Sequence, residues 1–414
     1  MSRETVAEAS TGAGSSAADW MRRLSLIAAG VLVVMLITWI LDDPIENLST
    51  DWTAFDRAAD RAWAGERVYR PFDAESESLP YLYPPFALVL ALPLALVGFY
   101  GSFAFSASLT FAAFVSGVVM VVRRREIDRA TAVIVASTTG AVITSTLIGQ
   151  YSGLYVLALG AMAAFLVDGR ERAAGAALAL LWLKPNLAIA IPVVLVWSRS
   201  WRMLGSWAAV SVGVFASSLP FGLDRWRGFA DNVSMMAELQ ADNIVPVDKM
   251  VTIQAAIQQG LGLESSSPLL WGMWALAILP LGLSVLAVWS REALLAAPMR
   301  AVGVLALFIV AANVRLYFYD AVLVAFGLLS IHAERDRFCI DRLSRAIGPL
   351  TMALWIGLWG GVWLPLNMVV GPIAGVVIIV VGLDTHLRSR RVDAADAFGD
   401  GAELGDGVSL SRAA

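Results

Sequence analysis

The sequence has few of the residues on which disulfide-rich and metal-dependent proteins rely. Its 414 residues include one cysteine, Cys339, and two histidines, His332 and His386. A single cysteine excludes a disulfide framework, and so few soft ligands leave little for a metal centre. We therefore expect no metal and no other cofactor. Charge is scarce too: 15% of the residues are charged and the net charge is −4. This balance argues against a nucleic-acid partner.

Apolar residues are abundant instead, at 58% of the chain, and the mean hydropathy is +0.71. Runs of about 18 or more apolar residues can cross a bilayer as helices, and backbone in lipid must satisfy its own hydrogen bonds. We therefore predict an all-α polytopic membrane protein. Its candidate spans are 24–41, 101–122, 130–148, 153–167, 203–222, 268–289, 299–313, 317–332, 346–365 and 368–384.

Short loops rich in arginine predict the orientation of these spans. Arg22 and Arg23 precede the first run and Asp42 and Asp43 follow it, so the positive-inside rule places the N-terminus in the cytoplasm. The run lacks a small-residue cleavage site and is interpreted as an uncleaved span. The other basic loops should share the cytoplasmic side; they are 123–125, 170–172, 199–202, 335–345 and 388–391.

Two further apolar stretches, 81–99 and 174–196, are interrupted by Pro84, Pro85 and Pro93 and by Lys184-Pro185-Asn186. A single crossing by either stretch would invert the arginine pattern, whereas a hairpin of two half-helices preserves it. Proline breaks helices, and broken backbone at membrane depth is tolerated only beside protein or a wet cavity. We therefore predict two re-entrant hairpins that line a cavity.

We predict one transmembrane domain over 20–391, flanked by disordered cytoplasmic tails at 1–19 and 392–414. Two outer loops, 42–80 and 223–266, are too long for simple connectors. Each contains apolar residues at helical spacing, which predicts a helix that lies in the interface. In the first loop this helix covers 50–65, with Trp52, Phe55, Ala59 and Trp63 on its apolar stripe.

Asp51 falls in the first turn of that outer helix, where the positive helix end keeps a carboxylate ionised. It is either simply a favourable first-turn acid or a functional group. Lys184 lies between apolar stretches, where a charge costs about 2.5–3.5 kcal/mol, so it either snorkels to an interface or binds an anion. Arg315 lies at the junction of two runs, near Tyr319 and Asp320, and either pairs with Asp320 or binds an anion as well.

An outer carboxylate with cations near it suits a lipid-linked phosphate substrate. A polyprenyl chain would lie in an apolar groove, its phosphate against the cations and its headgroup in water. Chemistry at that headgroup needs one carboxylate as general base, because phosphate leaves well when its charge is neutralised.

Several segments then resemble a known family. They are Asp51-Trp52-Thr53-Ala54-Phe55, Gly65-Glu66-Arg67-Val68-Tyr69, Tyr81-Leu82-Tyr83-Pro84-Pro85-Phe86, Gly149-Gln150-Tyr151-Ser152 and Leu183-Lys184-Pro185. Over about residues 20–330 the chain resembles the polyprenol-phosphate-sugar-dependent glycosyltransferases of the GT-C superfamily, family 87. The family usually has Gly-Gln-x-Asn where this chain has Ser152, and this departure leaves the role of Gln150 open.

The resemblance implies a GT-C-like bundle of about 10–12 transmembrane helices in a bacterial plasma membrane, with both termini cytoplasmic and the active site outside. It implies inverting transfer from a polyprenyl-phosphate sugar to a glycolipid or glycan acceptor by a monomer, with Asp51 as the catalytic residue. The expected donor-phosphate and substrate residues are Lys184, Arg315, Gln150, Tyr81, Tyr83, Tyr319 and Asp320.

The donor sugar and the class of protein stay open at this point. Mannose is the expected sugar and arabinofuranose the alternative. A secondary transporter or lipid flippase would also explain buried charge and broken helices, and a scaffold subunit without activity is a third interpretation. The position of the acid discriminates between them, because transport sites lie near the bilayer midplane. The absence of an internal repeat weakens the case for a transporter.

Overall fold

The structure is a computed structural model, and it describes residues 50–70, 80–123, 129–241, 247–338 and 367–399 together with Arg23, Gly30 and Leu358. Helices account for most of these residues. Within the described ranges the only extended pairing is an isolated antiparallel bridge between Met250 and Tyr317. The predicted all-α membrane architecture is therefore confirmed.

The helices of the first half of the chain are α1 (Thr50–Trp63), α2 (Leu88–Ala95), α3 (Gly98–Val122), α4 (Arg129–Ser137), α5 (Gly140–Leu147), α6 (Ser152–Val167), α7 (Glu171–Leu178), α8 (Pro185–Ala188), α9 (Ile191–Trp197) and α10 (Trp201–Ala216). Those of the second half are α11 (Leu223–Ala241), α12 (Ile253–Leu261), α13 (Pro268–Val288), α14 (Arg291–Ala296), α15 (Pro298–Ala312), α16 (Val322–His332) and α17 (Asn367–Gly399). Short 3₁₀ turns precede several of these helices, including Pro85–Ala87 before α2 and Phe318–Ala321 before α16.

Among the described residues, four helical segments are long and apolar enough to cross a membrane: Gly98–Val122, Trp201–Phe221, Pro268–Val288 and Asn367–Arg391. A fifth span results if α4 and α5, which meet at an angle of 64°, cross together. Three other predicted spans are apolar helices of 10–17 residues. The predicted runs 24–41 and 346–365 lie outside the described residues, apart from Gly30 and Leu358, so a total of about ten spans stays a prediction.

Contacts between loops define one end of the bundle, which we call the arginine end. Arg291 pairs with Glu171 at 2.5 Å. Arg337 donates to the carbonyl of Ala296, in the helix that begins at Arg291, and Arg388 donates to the carbonyl of Arg337 at 3.3 Å. Loops that were predicted to share one side of the membrane therefore meet at one end of the bundle.

Residues 171–200 form a hairpin, as predicted for 174–196. Arg291 contacts both of its ends, because it pairs with Glu171 and also donates to the Ser200 hydroxyl at 3.3 Å. The segment therefore returns to the arginine end, where it began. Lys184 lies at the turn between its two arms, toward the opposite end, which we call the site end.

The other predicted hairpin, 81–99, differs from the expectation of two half-helices. It contains a single short helix, α2, which lies along α1 and receives a hydrogen bond from the Trp63 indole at the Leu92 carbonyl (2.9 Å). A turn at Gly98, whose φ is +71°, then leads directly into the long helix α3. Residues 98–99, the end of the predicted stretch, belong to α3, and the re-entry of 81–99 into the membrane stays a prediction.

The helices predicted in the two long loops exist as α1 and α11, and their location in the membrane interface stays a prediction. Trp52, Phe55 and Ala59 of α1 are buried as its apolar stripe predicts, whereas Trp63 is 58% exposed. The last helix, α17, continues to Gly399, eight residues beyond the predicted end of the transmembrane domain, and disorder of the tail stays a prediction. The alanine-rich composition of 392–399 favours helix, and glycine is a common helix end.

Candidate active site

Asp51 stands in the first turn of α1, and the residues that follow fix the start of this helix. The Trp52 backbone N–H donates to the Ile148 carbonyl at 3.0 Å, and its indole N–H donates to the Ser102 hydroxyl at 3.0 Å. Trp52 is 1% exposed. Burial of this large side chain holds the partly exposed Asp51 carboxylate against the turn between α5 and α6.

That turn is built on Gly149 and carries Gln150. The φ of Gly149 is +80°, and a Cβ there would lie 2.5 Å from the Trp52 Cβ, so both the backbone conformation and the close approach require glycine. Gln150 donates its amide N–H to the Asp51 carboxylate and accepts a hydrogen bond from the Tyr83 hydroxyl. Two distant segments of the chain therefore position one carboxylate.

Burial raises the pKa of Asp51 to about 6, although the hydrogen bond from Gln150 and the nearby positive charge of Lys184 lower it. The negative charge of Asp320 contributes a smaller increase. A carboxylate with this pKa is ionised at neutral pH and still basic enough to accept a proton from a hydroxyl group. Asp51 therefore has the properties of a general base.

An aromatic cluster of Phe55, Tyr81, Tyr83 and Tyr151 packs beside Asp51. Phe55 contacts the other three, with ring centroids 4.3 Å away for Tyr83, 4.8 Å for Tyr151 and 5.4 Å for Tyr81. Tyr81 is 2% exposed. This predicted substrate residue therefore lies inside the cluster, while Tyr83 reaches the polar network through Gln150.

A buried ion pair lies close enough to influence the charge of Asp51. The Lys184 ammonium donates to the Asp320 carboxylate at 2.5 Å, and the Ser152 hydroxyl reaches the other carboxylate oxygen at 3.4 Å. The Tyr319 ring centroid lies 5.1 Å from the Lys184 nitrogen. Ser152, which departs from the family motif, thus takes part in holding Asp320.

The alternative in which Arg315 pairs with Asp320 was wrong, because the carboxylate of Asp320 faces Lys184 instead. The side chain of Asn313 accepts hydrogen bonds from the Arg315 backbone N–H (3.1 Å) and from the Asn186 amide (3.2 Å). Asn186 also donates to the Arg315 carbonyl at 3.2 Å. Within the described residues the half-buried Arg315 guanidinium has no carboxylate partner.

The sequence analysis did not assign roles to Asn186, Asn313 or Ser152. The sequence indicated the two asparagines only by their position next to predicted site residues. Asn186 follows Lys184-Pro185, and Asn313 ends α15 beside Arg315. Their partners lie on other segments, so sequence alone did not connect them. Among the described residues, no group of three or more His, Cys, Asp or Glu side chains could hold a metal ion.

The site thus combines an ionised carboxylate, a buried lysine–aspartate pair and a guanidinium that has no carboxylate partner among the described residues. Comparison with known proteins adds one finding: the profile of glycosyltransferase family 87 matches residues 81–312, more than half of the chain. No curated protein and no solved structure shows a significant match.

Proposed function

Because the chain belongs to glycosyltransferase family 87, we propose that it transfers a mannosyl residue from a polyprenyl phosphate to a hydroxyl group of a glycolipid or glycan. Transfer of a sugar by a membrane protein is the activity of the family; the lipid-phosphate donor, the sugar and the extracytoplasmic face of a bacterial plasma membrane are our proposal. The observation that carries it is the Asp51 carboxylate, which is fixed by Gln150 and lies near the Lys184 ammonium.

In the proposed reaction the acceptor hydroxyl gives its proton to Asp51 as its oxygen attacks the anomeric carbon of the donor. The bond between that carbon and the phosphate oxygen breaks, and the electron pair leaves with the phosphate. Attack from the face opposite the leaving group inverts the anomeric configuration. General-base catalysis of this kind contributes about 10²–10⁴-fold to rate.

The leaving phosphate needs positive charge, and the two candidate cations differ in availability. Lys184 is already neutralised by Asp320 at 2.5 Å. Arg315 has no carboxylate partner in the part of the chain that the structure describes, and Asn186 and Asn313 fix its backbone. Guanidinium binds phosphate oxygens in bidentate geometry. We therefore assign Arg315 as the principal phosphate ligand and Lys184 as a second cation beside it.

The polyprenyl chain of the donor has an apolar surface that continues from Lys184. Ile189, Val193 and Val196 follow Lys184 in the hairpin and are 74%, 61% and 47% exposed. A cavity of about 450 Å³ between this arm and α13 is lined by Pro192, Val193, Val196, Trp197 and Leu286. A donor whose phosphate is near Lys184 would place its isoprenoid units along this face.

Three alternative functions use some of the same features. Arabinofuranose could replace mannose, because the lipid phosphate and the base would be unchanged. A transporter or flippase is disfavoured because the family is one of glycosyltransferases and because Asp51 belongs to α1, outside the helices long enough to span a membrane. An inactive scaffold subunit would not require a positioned base.

The experiment that tests the proposal incubates membranes containing the chain with labelled polyprenyl-phosphate mannose, polyprenyl-phosphate arabinofuranose or a nucleotide sugar. Membranes without the chain are the control. We expect label from the mannose donor to enter a glycolipid or glycan fraction. Transfer from the nucleotide sugar alone, or from none of the three, would contradict the proposal, and transfer from the arabinofuranose donor alone would favour the alternative sugar.

A further inference from the structure

A cavity of about 430 Å³ lies apart from Asp51, between the segment that follows α1 and the first turns of α11. The Tyr69 side chain forms part of its lining, and Gly228 on α11 faces this tyrosine. A Cβ at Gly228 would lie 2.9 Å from the Tyr69 Cβ, so the two segments approach closely there. The aromatic floor and its polar rim form a concave surface that no step of the proposed mechanism uses.

The charged groups around this cavity balance one another. Three acids and three arginines line it: Glu66, Asp224, Asp231, Arg67, Arg225 and Arg227. A phosphate or carboxylate ligand calls for an excess of positive charge, which is missing here. Side chains that offer both donors and acceptors, with no net charge, suit a neutral ligand that carries many hydroxyl groups.

Some of these groups already have partners on the surface. Arg227 pairs with Asp224 at 3.2 Å, and Glu66 pairs with Arg70 at 2.7 Å. Arg67, Arg225 and Asp231 have no ion pair in the described ranges. Two guanidinium groups and one carboxylate of the lining are therefore available to bind a ligand.

Arg225 supplies the most specific observation. Its Nε donates to the Phe221 carbonyl at 3.1 Å, which orients the guanidinium. Its Nη1 is buried and has no hydrogen-bond acceptor among the described residues. A buried donor without a partner destabilises the folded protein, so an acceptor atom supplied by a ligand would relieve this cost.

The cavity is linked to the candidate active site through two tyrosines. The Tyr69 hydroxyl donates to the Tyr83 carbonyl at 2.8 Å, and the Tyr83 hydroxyl donates to Gln150, which holds Asp51. Along this hydrogen-bonded path, only Tyr83 and Gln150 lie between Tyr69, which lines the cavity, and the Asp51 carboxylate. A substrate of several sugar units is long enough to occupy both places.

We propose that this cavity binds a sugar residue of an oligosaccharide acceptor, distant from the hydroxyl group that reacts at Asp51. Neighbouring hydroxyls of the sugar accept from Arg225 and Arg67 and donate to Asp231. This inference rests on the proposed glycosyl transfer. It makes the cavity a specificity-determining subsite that favours acceptors with more than one sugar unit.

Binding is tested on the purified full-length chain in detergent, by titration with mannose and arabinofuranose oligosaccharides and with the free monosaccharides. We expect saturable binding of an oligosaccharide that Arg225→Gln and Asp231→Asn each weaken at least tenfold. Arg57→Gln is the matched control, because Arg57 is an exposed arginine of α1 outside the cavity. Absence of oligosaccharide binding to the wild-type chain, or equal binding by both cavity variants, would overturn the inference.

Transfer assays then separate this inference from the proposed function. Wild-type enzyme should prefer an oligosaccharide acceptor over a monosaccharide, and Arg225→Gln should remove that preference, whereas Arg57→Gln should retain both the preference and the KM for the donor. Should Arg225→Gln unfold, Asp231→Asn provides the same comparison. Transfer with an unchanged length preference in the variants would refute the subsite but not the transferase. Oligosaccharide binding without transfer from any lipid donor would refute the proposed donor but not the subsite.

Discussion

Two opposing effects set the pKa of the Asp51 carboxylate. Burial disfavours the ionised form of Asp51, whereas the amide of Gln150 and the charge of Lys184 favour it, and the balance leaves its pKa at about 6. A fully exposed aspartate would have a lower pKa and would be a weaker base. A buried aspartate without these two partners would have a higher pKa and would stay protonated at neutral pH. The strength of the proposed base is thus set by neighbours from other segments.

Asp51→Asn should reduce transfer about 10²–10⁴-fold, because the amide cannot accept the proton of the acceptor hydroxyl. Folding should be preserved, since the asparagine oxygen can still accept from Gln150 and the neutral side chain avoids the cost of a buried charge. Sugar transfer and thermal melting in detergent measure the two effects. Asp60→Asn, at an exposed position of the same helix, is the control and should remain active. An active Asp51→Asn enzyme would remove this residue from the mechanism.

The fall of kcat/KM at low pH should report the protonation of Asp51. Below about pH 6 Asp51 becomes protonated and kcat/KM should fall. The hydrogen bond from Gln150 lowers the pKa of Asp51, so Gln150→Met should raise that pKa and move the acid limb to higher pH. Profiles of kcat/KM against pH for the two enzymes provide the measurement. A limb that stays in place, or moves to lower pH, would show that another group controls it.

Lys184→Met should destabilise the protein, because it leaves the Asp320 carboxylate buried without its cation. Removal of one partner of a buried pair costs about 3–5 kcal/mol. Asp320 is 0% exposed and Lys184 17%, which places this pair in that class. The double variant Lys184→Met/Asp320→Asn should recover most of the melting temperature but retain a raised KM for the donor. Equal melting temperatures of the single variant and the wild type would mean that Lys184 is solvated.

At the scale of elements, two tight turns position the site. The turn between α5 and α6 presents Gln150 to Asp51, and the turn at Lys184-Pro185 between the hairpin arms presents Lys184 to Asp320. The sequence predicted the second turn, because a proline and a charge interrupt an apolar stretch. It indicated the first turn only through the short Gly-Gln motif. The close contact between Gly149 and Trp52 joins residues that are far apart in the sequence, so no local pattern predicts it.

Gly149→Ala should therefore disturb the site more than an ordinary glycine substitution. A residue other than glycine at positive φ costs roughly 1–2 kcal/mol, and here the new Cβ would also lie 2.5 Å from the Trp52 Cβ. Gly262→Ala is a matched control, since its φ is +62° but nothing lies within 4 Å of the added Cβ. Both variants should melt at lower temperature, whereas only Gly149→Ala should lose transfer activity. Comparable activity in the two variants would show that transfer does not depend on the exact position of Gln150 relative to Asp51.

For the whole molecule, the contacts between basic loops at the arginine end support the proposed orientation. Loops that contact Arg291 and Arg337 share the arginine end, and Lys184 lies toward the site end. The positive-inside rule then predicts that the arginine end faces the cytoplasm. The proposed donor chemistry would consequently take place at the outer surface of the membrane.

Cysteine labelling tests this orientation in a chain whose single cysteine, Cys339, is replaced by serine. Ser266→Cys, an exposed position just before α13 at the site end, should react with a membrane-impermeant reagent on intact cells. Ser389→Cys, an exposed position of α17 at the arginine end, should react only after permeabilisation. The reverse pattern would place the candidate site in the cytoplasm and contradict the proposed location of the reaction.

Hydropathy, proline and residue spacing were enough to predict the all-α membrane class, the turn at Lys184 and the helix that carries Asp51, because these properties act over a few turns of chain. The tertiary structure alone decided the partners: Gln150 reaches Asp51 across 99 positions and Lys184 reaches Asp320 across 136. It also decided that Arg315 has no carboxylate partner within the described residues and that the segment after α1 lies beside α11 to form a second cavity. Such contacts depend on how distant helices pack, and the free energy of that packing is shared among many residues rather than encoded in any one motif.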